Sequence, residues 1–112
     1  MDVISIKDFP GIRIGNAQNV DGGTGCTVIL SEGGMCAGLD VRGGGPASRE
    51  SELLKPLANA QTIHAVLFGG GSAFGLDAGG GVMQFLEEKD IGFDVGVTKV
   101  PLVCQSDLFD LT

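Results

Sequence analysis

The sequence contains no tryptophan and no tyrosine, and aromatic residues make up only 5% of it, all phenylalanine. Proteins that grip single-stranded nucleic acid stack bases on such rings and line the groove with lysine and arginine. Here 7 basic residues stand against 14 acidic ones, giving a formal charge of −7. No basic stripe exists to neutralise phosphates, so a nucleic-acid partner is disfavoured. Long apolar runs are missing as well. No stretch approaches the roughly 18 residues that cross a bilayer, and no membrane role is expected. The opening Met1-Asp2-Val3-Ile4-Ser5-Ile6-Lys7 has neither a basic n-region nor a long apolar core, which predicts no signal peptide. The 3 cysteines, Cys26, Cys36 and Cys104, are odd in number and lack metal-ligand spacing. Free thiols in a cytoplasmic protein are the simplest reading, with a disulfide or a catalytic thiol as alternatives, and neither metal nor cofactor is expected.

What is abundant is glycine, with 20 in 112 residues, roughly two and a half times the average share of about 7%. The glycines follow no three-residue period. They cluster at Gly22–Gly25, Gly33–Gly34, Gly43–Gly45, Gly69–Gly71 and Gly79–Gly81, where tight turns or close backbone approach are expected. A hydrophobic content of 43% argues against disorder. The length suits about one small domain, residues 1–112, with a modest core.

An α/β (α+β) pattern runs along the chain. Ile4 to Ile14 reads as a short strand, a turn at Phe9-Pro10-Gly11 and a second short strand. Cys26 to Leu30 is β-branched and apolar, and Ser31-Glu32-Gly33-Gly34 is a hairpin-length connection to a partner strand from Met35 to Val41. Ser48 is placed to cap a two-turn helix over Arg49–Leu54, which Pro56 limits. Thr62 to Phe68 is a buried type of strand. A helix from Ser72 to Lys89 follows, with Leu76, Val82, Met83, Phe85 and Leu86 on its apolar face and Gly92 as its stop. A final β segment covers Val95 to Val103. Each of Gly79, Gly80 and Gly81 should cost that helix about 1 kcal/mol relative to alanine. Close packing against a neighbouring backbone would offset this, so the helix is expected to lie pressed against another element, one that this chain need not contain.

Gly69-Gly70-Gly71-Ser72 stands between a strand and a helix, where nucleotide-binding loops also occur. No lysine completes a Walker loop, no start position satisfies the dinucleotide fingerprint, and Phe74 occupies the last position of a nucleophile elbow. What survives is a set of amides at a helix start that favours a carbonyl oxygen or an anion, beside the simpler reading of a tight βα turn without a ligand. His64, the single histidine, lies between Ile63 and Ala65 and reads as structural. Asp40 and Arg42 read as an ion pair. Asp77 is placed to favour a helix dipole or to reach a buried donor. No serine–histidine–acid grouping emerges, and no catalytic residue is assigned.

Taken in order, Gly11-Ile12-Arg13-Ile14-Gly15, Thr24-Gly25-Cys26-Thr27-Val28-Ile29-Leu30, Asp40-Val41-Arg42-Gly43-Gly44 and Arg49-Glu50 resemble the start of the DmpA-type aminopeptidases. So do Gly70-Gly71-Ser72-Ala73-Phe74-Gly75-Leu76-Asp77-Ala78, Gly81-Val82-Met83, Val100-Pro101 and Phe109-Asp110-Leu111. These are self-processing serine peptidases that include β-peptidyl aminopeptidases and are related to nylon-oligomer hydrolases. The resemblance implies the amino-terminal portion of a layered α/β/β/α fold. It implies a precursor that cuts itself to expose a serine or threonine nucleophile, whose own α-amine serves as base. It also implies oligomers of processed pairs, and small peptide, amide or ester substrates with a free amino terminus. In such proteins the nucleophile lies far beyond Phe109-Asp110-Leu111, so the resemblance implies a segment inactive alone, with Gly69, Gly70, Gly71, Ser72 and Asp77 lining or supporting the substrate pocket. Its expected partner is the missing carboxy-terminal segment; self-association as a binding or assembly module is the alternative. The chain departs from the family pattern at Val103-Cys104-Gln105, where proline and small apolar residues are expected, and at Gly79-Gly80, where alanine-like residues are commoner.

Overall fold

A computed structural model describes residues 2–112. Its main sheet is five-stranded in the order β1-β2-β4-β7-β3, formed by β1 (Arg13–Asn19), β2 (Thr24–Met35), β3 (Ser48–Arg49), β4 (Ile63–Gly69) and β7 (Val103–Asp107). A two-stranded ribbon of β5 (Phe93–Asp94) and β6 (Lys99–Val100) stands apart from it. Neighbours in the main sheet are antiparallel except β4 and β7. Parallel strands need a crossover, and a 3-10 turn over Ser72–Asp77 continuing into helix α1 (Ala78–Glu87) supplies it. The result is one sheet carrying one helix, an α+β arrangement as expected.

The core lies where α1 crosses the sheet. Leu30 stands opposite Ala65, and Ala65 opposite Val103, so one row of apolar side chains crosses β2, β4 and β7 on a single face. Leu86 of α1 seats on that row, with Val28, Val82, Met83 and Ile91 packed around it. Leu86 is fully buried, which stabilises the fold by roughly 1.5–3 kcal/mol. The strand expected over Thr62–Phe68 is β4, displaced by one residue, and it is the best buried strand of the sheet.

Several local expectations are corrected. The first strand of the Ile4–Ile14 pair is a 3-10 turn over Ile6–Asp8, because Ser5 and Asp8 form a reciprocal capping box. The hairpin expected between Cys26–Leu30 and Met35–Val41 does not form. β2 runs straight through Ser31–Gly34, bulges between Leu30 and Met35, and resumes pairing with β4 at Ile63. Gly34, at φ +85°, absorbs the bulge, and residues 36–41 lie outside any strand. The hairpin that does form joins β1 to β2, closed by the Gly23 amide donating to the Val20 carbonyl at 3.3 Å. Every residue of β1 is exposed, so the apolar alternation that marks a half-buried strand is weak there.

Further along, Ser48 and Arg49 form β3 on the sheet edge, and the helix expected over Arg49–Leu54 shrinks to one 3-10 turn at Ser51–Leu54. The long helix expected from Ser72 begins as 3-10 and becomes α-helical only at Ala78. It ends through Asp90 rather than Gly92. Asp90 takes φ +55°, with its amide bonded to the Glu87 carbonyl and the Ile91 amide to that of Leu86, the paired closure of a Schellman motif. Gly92 has a different task, since a side chain there would meet the Val100 backbone at 2.6 Å. The last β segment is split: β6 ends at Val100 and β7 begins at Val103, running on to Asp107.

Asp40 and Arg42 pair at 2.7 Å as expected, though in an irregular segment and in solvent. His64 is buried, and its Nδ1 accepts the Leu102 amide at 3.2 Å. Burial lowers its pKa. All three cysteines are free, with Cys104 buried and Cys36 exposed. Among the described residues no helix is long and apolar enough to cross a membrane.

Candidate functional site

The loop Gly69–Ser72 leaves the carboxyl end of β4, the position where open α/β sheets place ligands. Its backbone is unusual. Gly71 takes φ +87° and Ser72 φ +54°, so two consecutive residues are left-handed, and the second is not glycine. A serine held there costs on the order of 1 kcal/mol and persists only where the surroundings enforce it.

Three hydrogen bonds enforce it. The Gly70 amide donates to the Gly25 carbonyl at 2.9 Å, and the Ser72 amide to the Leu108 carbonyl at 2.9 Å. The Gly71 amide donates to Asp110 Oδ1 at 2.5 Å. The other carboxylate oxygen of Asp110 accepts from the Thr24 hydroxyl at 2.7 Å. Asp110 thus fastens the start of β2 to the start of the helical crossover. The Gly71 amide, and after it the Thr24 hydroxyl, hold its carboxyl below the usual carboxylate range. The amides that could have cradled an anion are therefore engaged by the chain itself, and the loop acts as a braced wall rather than an open anion nest.

A groove of about 560 Å³ opens beside this wall. Asn16, Gln18, Asn19 and Thr27 give it a polar flank, and Thr24, Gly69, Gly70 and Asp110 form its floor. Of the residues singled out from sequence, Gly69 and Gly70 reach the groove, while Gly71 and Ser72 brace it from behind. Asp77 is exposed, makes no side-chain cap bond and does not line the groove. Thr24 and Asp110 carry the bracing yet escaped the sequence reading as site residues. They are separated by 86 positions, and only folding brings them together.

Behind the loop lies a polar node. Gln105, which is 2% exposed, donates from Nε2 to the Gly75 carbonyl and to Asp107 Oδ1, both at 2.7 Å. Gln105 Oε1 and Asp107 Oδ2 are buried without a partner among the described residues. Small residues make the space: a Cβ on Gly79 would meet Gln105 Oε1 at 2.7 Å and Arg49 Nη1 at 2.8 Å. A Cβ on Gly75 would run into the Gly70 carbonyl oxygen. The glycine at 79 and the glutamine at 105 therefore fit each other. The expected close packing of the helix glycines is met at Gly79 alone. Gly80 and Gly81 have nothing within 4 Å of where a side chain would begin.

The arrangement offers a groove with a polar flank but, among the described residues, no assembled nucleophile and base. His64 sits near the opposite end of β4 from the loop, roughly 17 Å from Gly69 at the usual rise per residue, and its Nδ1 is occupied by a backbone amide. It cannot activate Ser72.

Comparison with known proteins gives a consistent picture. The model of peptidase family S58 matches residues 5–112. An uncharacterized aminopeptidase of Mycobacterium bovis is 42% identical over 96% of this chain and 33% of its own length. One from Mycobacterium leprae is 40% identical over 96% of this chain and 32% of its own. A 6-aminohexanoate-oligomer endohydrolase of a Kocuria species is 32% identical over 94% and 27%, respectively. The chain thus spans about a third of the length of the curated relatives it matches.

Proposed function

The chain belongs to peptidase family S58, and from that premise we propose that it supplies the amino-terminal part of an aminopeptidase or amidohydrolase acting on small peptides, amides or esters with a free amino terminus. The nucleophile comes from polypeptide beyond residue 112, exposed by self-cleavage, and residues 1–112 do not hydrolyse substrate alone. Their part is structural and steric: the braced loop Gly69–Ser72, with Asp110 and Thr24 behind and beneath it, forms one wall of the substrate groove. Ser72 supports that wall through its amide without touching substrate, and Asp77 has no part in it. The assembled enzyme is an oligomer of processed pairs in the cytoplasm, where its free thiols are kept reduced.

The observation that carries this reading is the lacing of Gly70, Gly71 and Ser72 to Gly25, Asp110 and Leu108. It commits the loop amides to rigidity and leaves a groove with a polar flank beside them. The test is an assay of the purified chain for release of p-nitroaniline from alanine p-nitroanilide. No turnover above background is expected from the chain alone. Hydrolysis should appear when it is co-expressed with the remainder of the Mycobacterium bovis relative. Turnover by the chain alone would overturn the assignment of the nucleophile to another segment.

A further inference from the structure

Another groove, about 450 Å³ in volume, lies between β1 and α1. Its floor is Gly15, Val28 and Leu30, and its wall is the α1 face Ala78, Gly81, Val82 and Phe85, residues spaced to share one side of a helix. Phe85 is 42% exposed although it lines an apolar groove. Gly81 lines it with empty space where a side chain would begin. Next to it, β1 is the end strand of the sheet, exposed along its whole length. Along one flank, therefore, both the hydrogen-bonding rim of the sheet and the apolar layer beneath the helix are open. Unmanaged edges of that kind invite pairing.

We infer that this flank is the docking seam for the polypeptide that follows residue 112, which packs apolar side chains into the groove and brings its backbone close to Gly81. Two observations choose this occupant. The relatives are about three times as long as this chain, so a large covering segment exists in the family. The path of the chain also points toward the seam. After β7 it crosses the end of β4, where Leu108 bonds Gly69, and reaches β2, where Asp110 bonds Thr24. Thr24 pairs with Asn19 of β1. The chain has then arrived one strand from the open edge, and Gly15 of the groove lies roughly 13 Å further along β1. The glycine at 81 gains a reason: its helical cost is offset only once a backbone lies against it.

This inference rests on the reading that a downstream segment completes the enzyme, and its test separates the two. The chain is co-expressed with an affinity-tagged remainder of the Mycobacterium bovis relative, as wild type, Gly81→Leu and Gly80→Leu. Both substitutions improve helix propensity, and a Cβ at either position meets no atom within 4 Å in the chain itself, but only residue 81 lines the groove. Wild type and Gly80→Leu should co-purify with the remainder, and Gly81→Leu should bind about 10-fold more weakly, as overpacking a docked surface does. Equal recovery of Gly81→Leu, or no recovery of the wild-type chain, would overturn the inference. So would self-association of the chain alone that Gly81→Leu abolishes, since a second copy would then be the occupant. Intact association without hydrolysis of alanine p-nitroanilide would leave the seam standing and sink the enzymatic reading instead.

Discussion

Three glycines share one helix, and the structure makes opposite predictions for two of them. In Gly80→Ala nothing lies within 4 Å of the new carbon, so only the helix propensity counts, worth about 1 kcal/mol of added stability. In Gly79→Ala the same gain is opposed by Gln105 Oε1 at 2.7 Å, Arg49 Nη1 at 2.8 Å and Arg49 Cδ at 3.1 Å. Arg49 is tethered to the Leu76 carbonyl and Met83, and Gln105 is tethered to Gly75 and Asp107, so neither yields freely. Overpacking of this kind costs about 1–3 kcal/mol. The net effect of Gly79→Ala is destabilisation by about 1 kcal/mol, which separates the two variants by about 2 kcal/mol, or roughly 8 °C in Tm for a chain of this size. Adding Gln105→Ala removes one of the obstructing groups and leaves the Arg49 contacts, so Gly79→Ala should be less destabilising in that background than in the wild type. Thermal and urea unfolding followed by circular dichroism would read all four variants, and a double-mutant cycle would isolate the coupling. If Gly79→Ala stabilised the protein as much as Gly80→Ala, the claim that Gly79 exists to admit Gln105 would be wrong.

Other consequences follow from the titratable groups. Asp110 has a depressed native pKa, so its contribution to stability is complete above the ordinary carboxylate value and lost as pH falls toward the native one. Asp110→Asn should flatten that acid dependence and speed amide exchange at Gly71; unchanged exchange would remove Asp110 from the bracing role. His64 is also depressed, by burial, so stability should decline as pH drops below about 6.5 toward its native value, and an NMR titration should find it below free histidine. A midpoint at or above that of free histidine would refute this. Thiol titration should find Cys36 fast and Cys104 slow, because Cys104 is buried and its pKa is raised by desolvation and by Glu50; equal rates would contradict the packing around β7.

Much of this protein follows from local sequence. The buried strand at Thr62–Phe68 was legible because its apolar run is short and bounded, and the glycine-rich crossover because its apolar residues recur at helical spacing. The family resemblance was carried by motifs in order, above all Gly70 to Ala78. The expected hairpin failed for a physical reason: turn residues permit reversal but do not compel it, and after the bulge at Ser31–Gly34 the chain rejoins β4, with Met35 opposite Ile63, instead of folding back. β1 went largely unrecognised because it is exposed on both faces and carries no apolar alternation. The bracing of the site was hidden too. The sequence could name the loop Gly69–Ser72, but whether its amides face a ligand or the chain depends on Thr24, Leu108 and Asp110. Those residues lie far from the loop in sequence or, like Thr24 and Asp110, far from one another, and only tertiary packing brings them to it. Sequence determined which segments bend and which run straight, since backbone freedom and side-chain bulk act locally. Tertiary structure decided which bends are held, by what, and which flank of the sheet is left open, since hydrogen bonds and burial across the chain are settled only when distant segments meet.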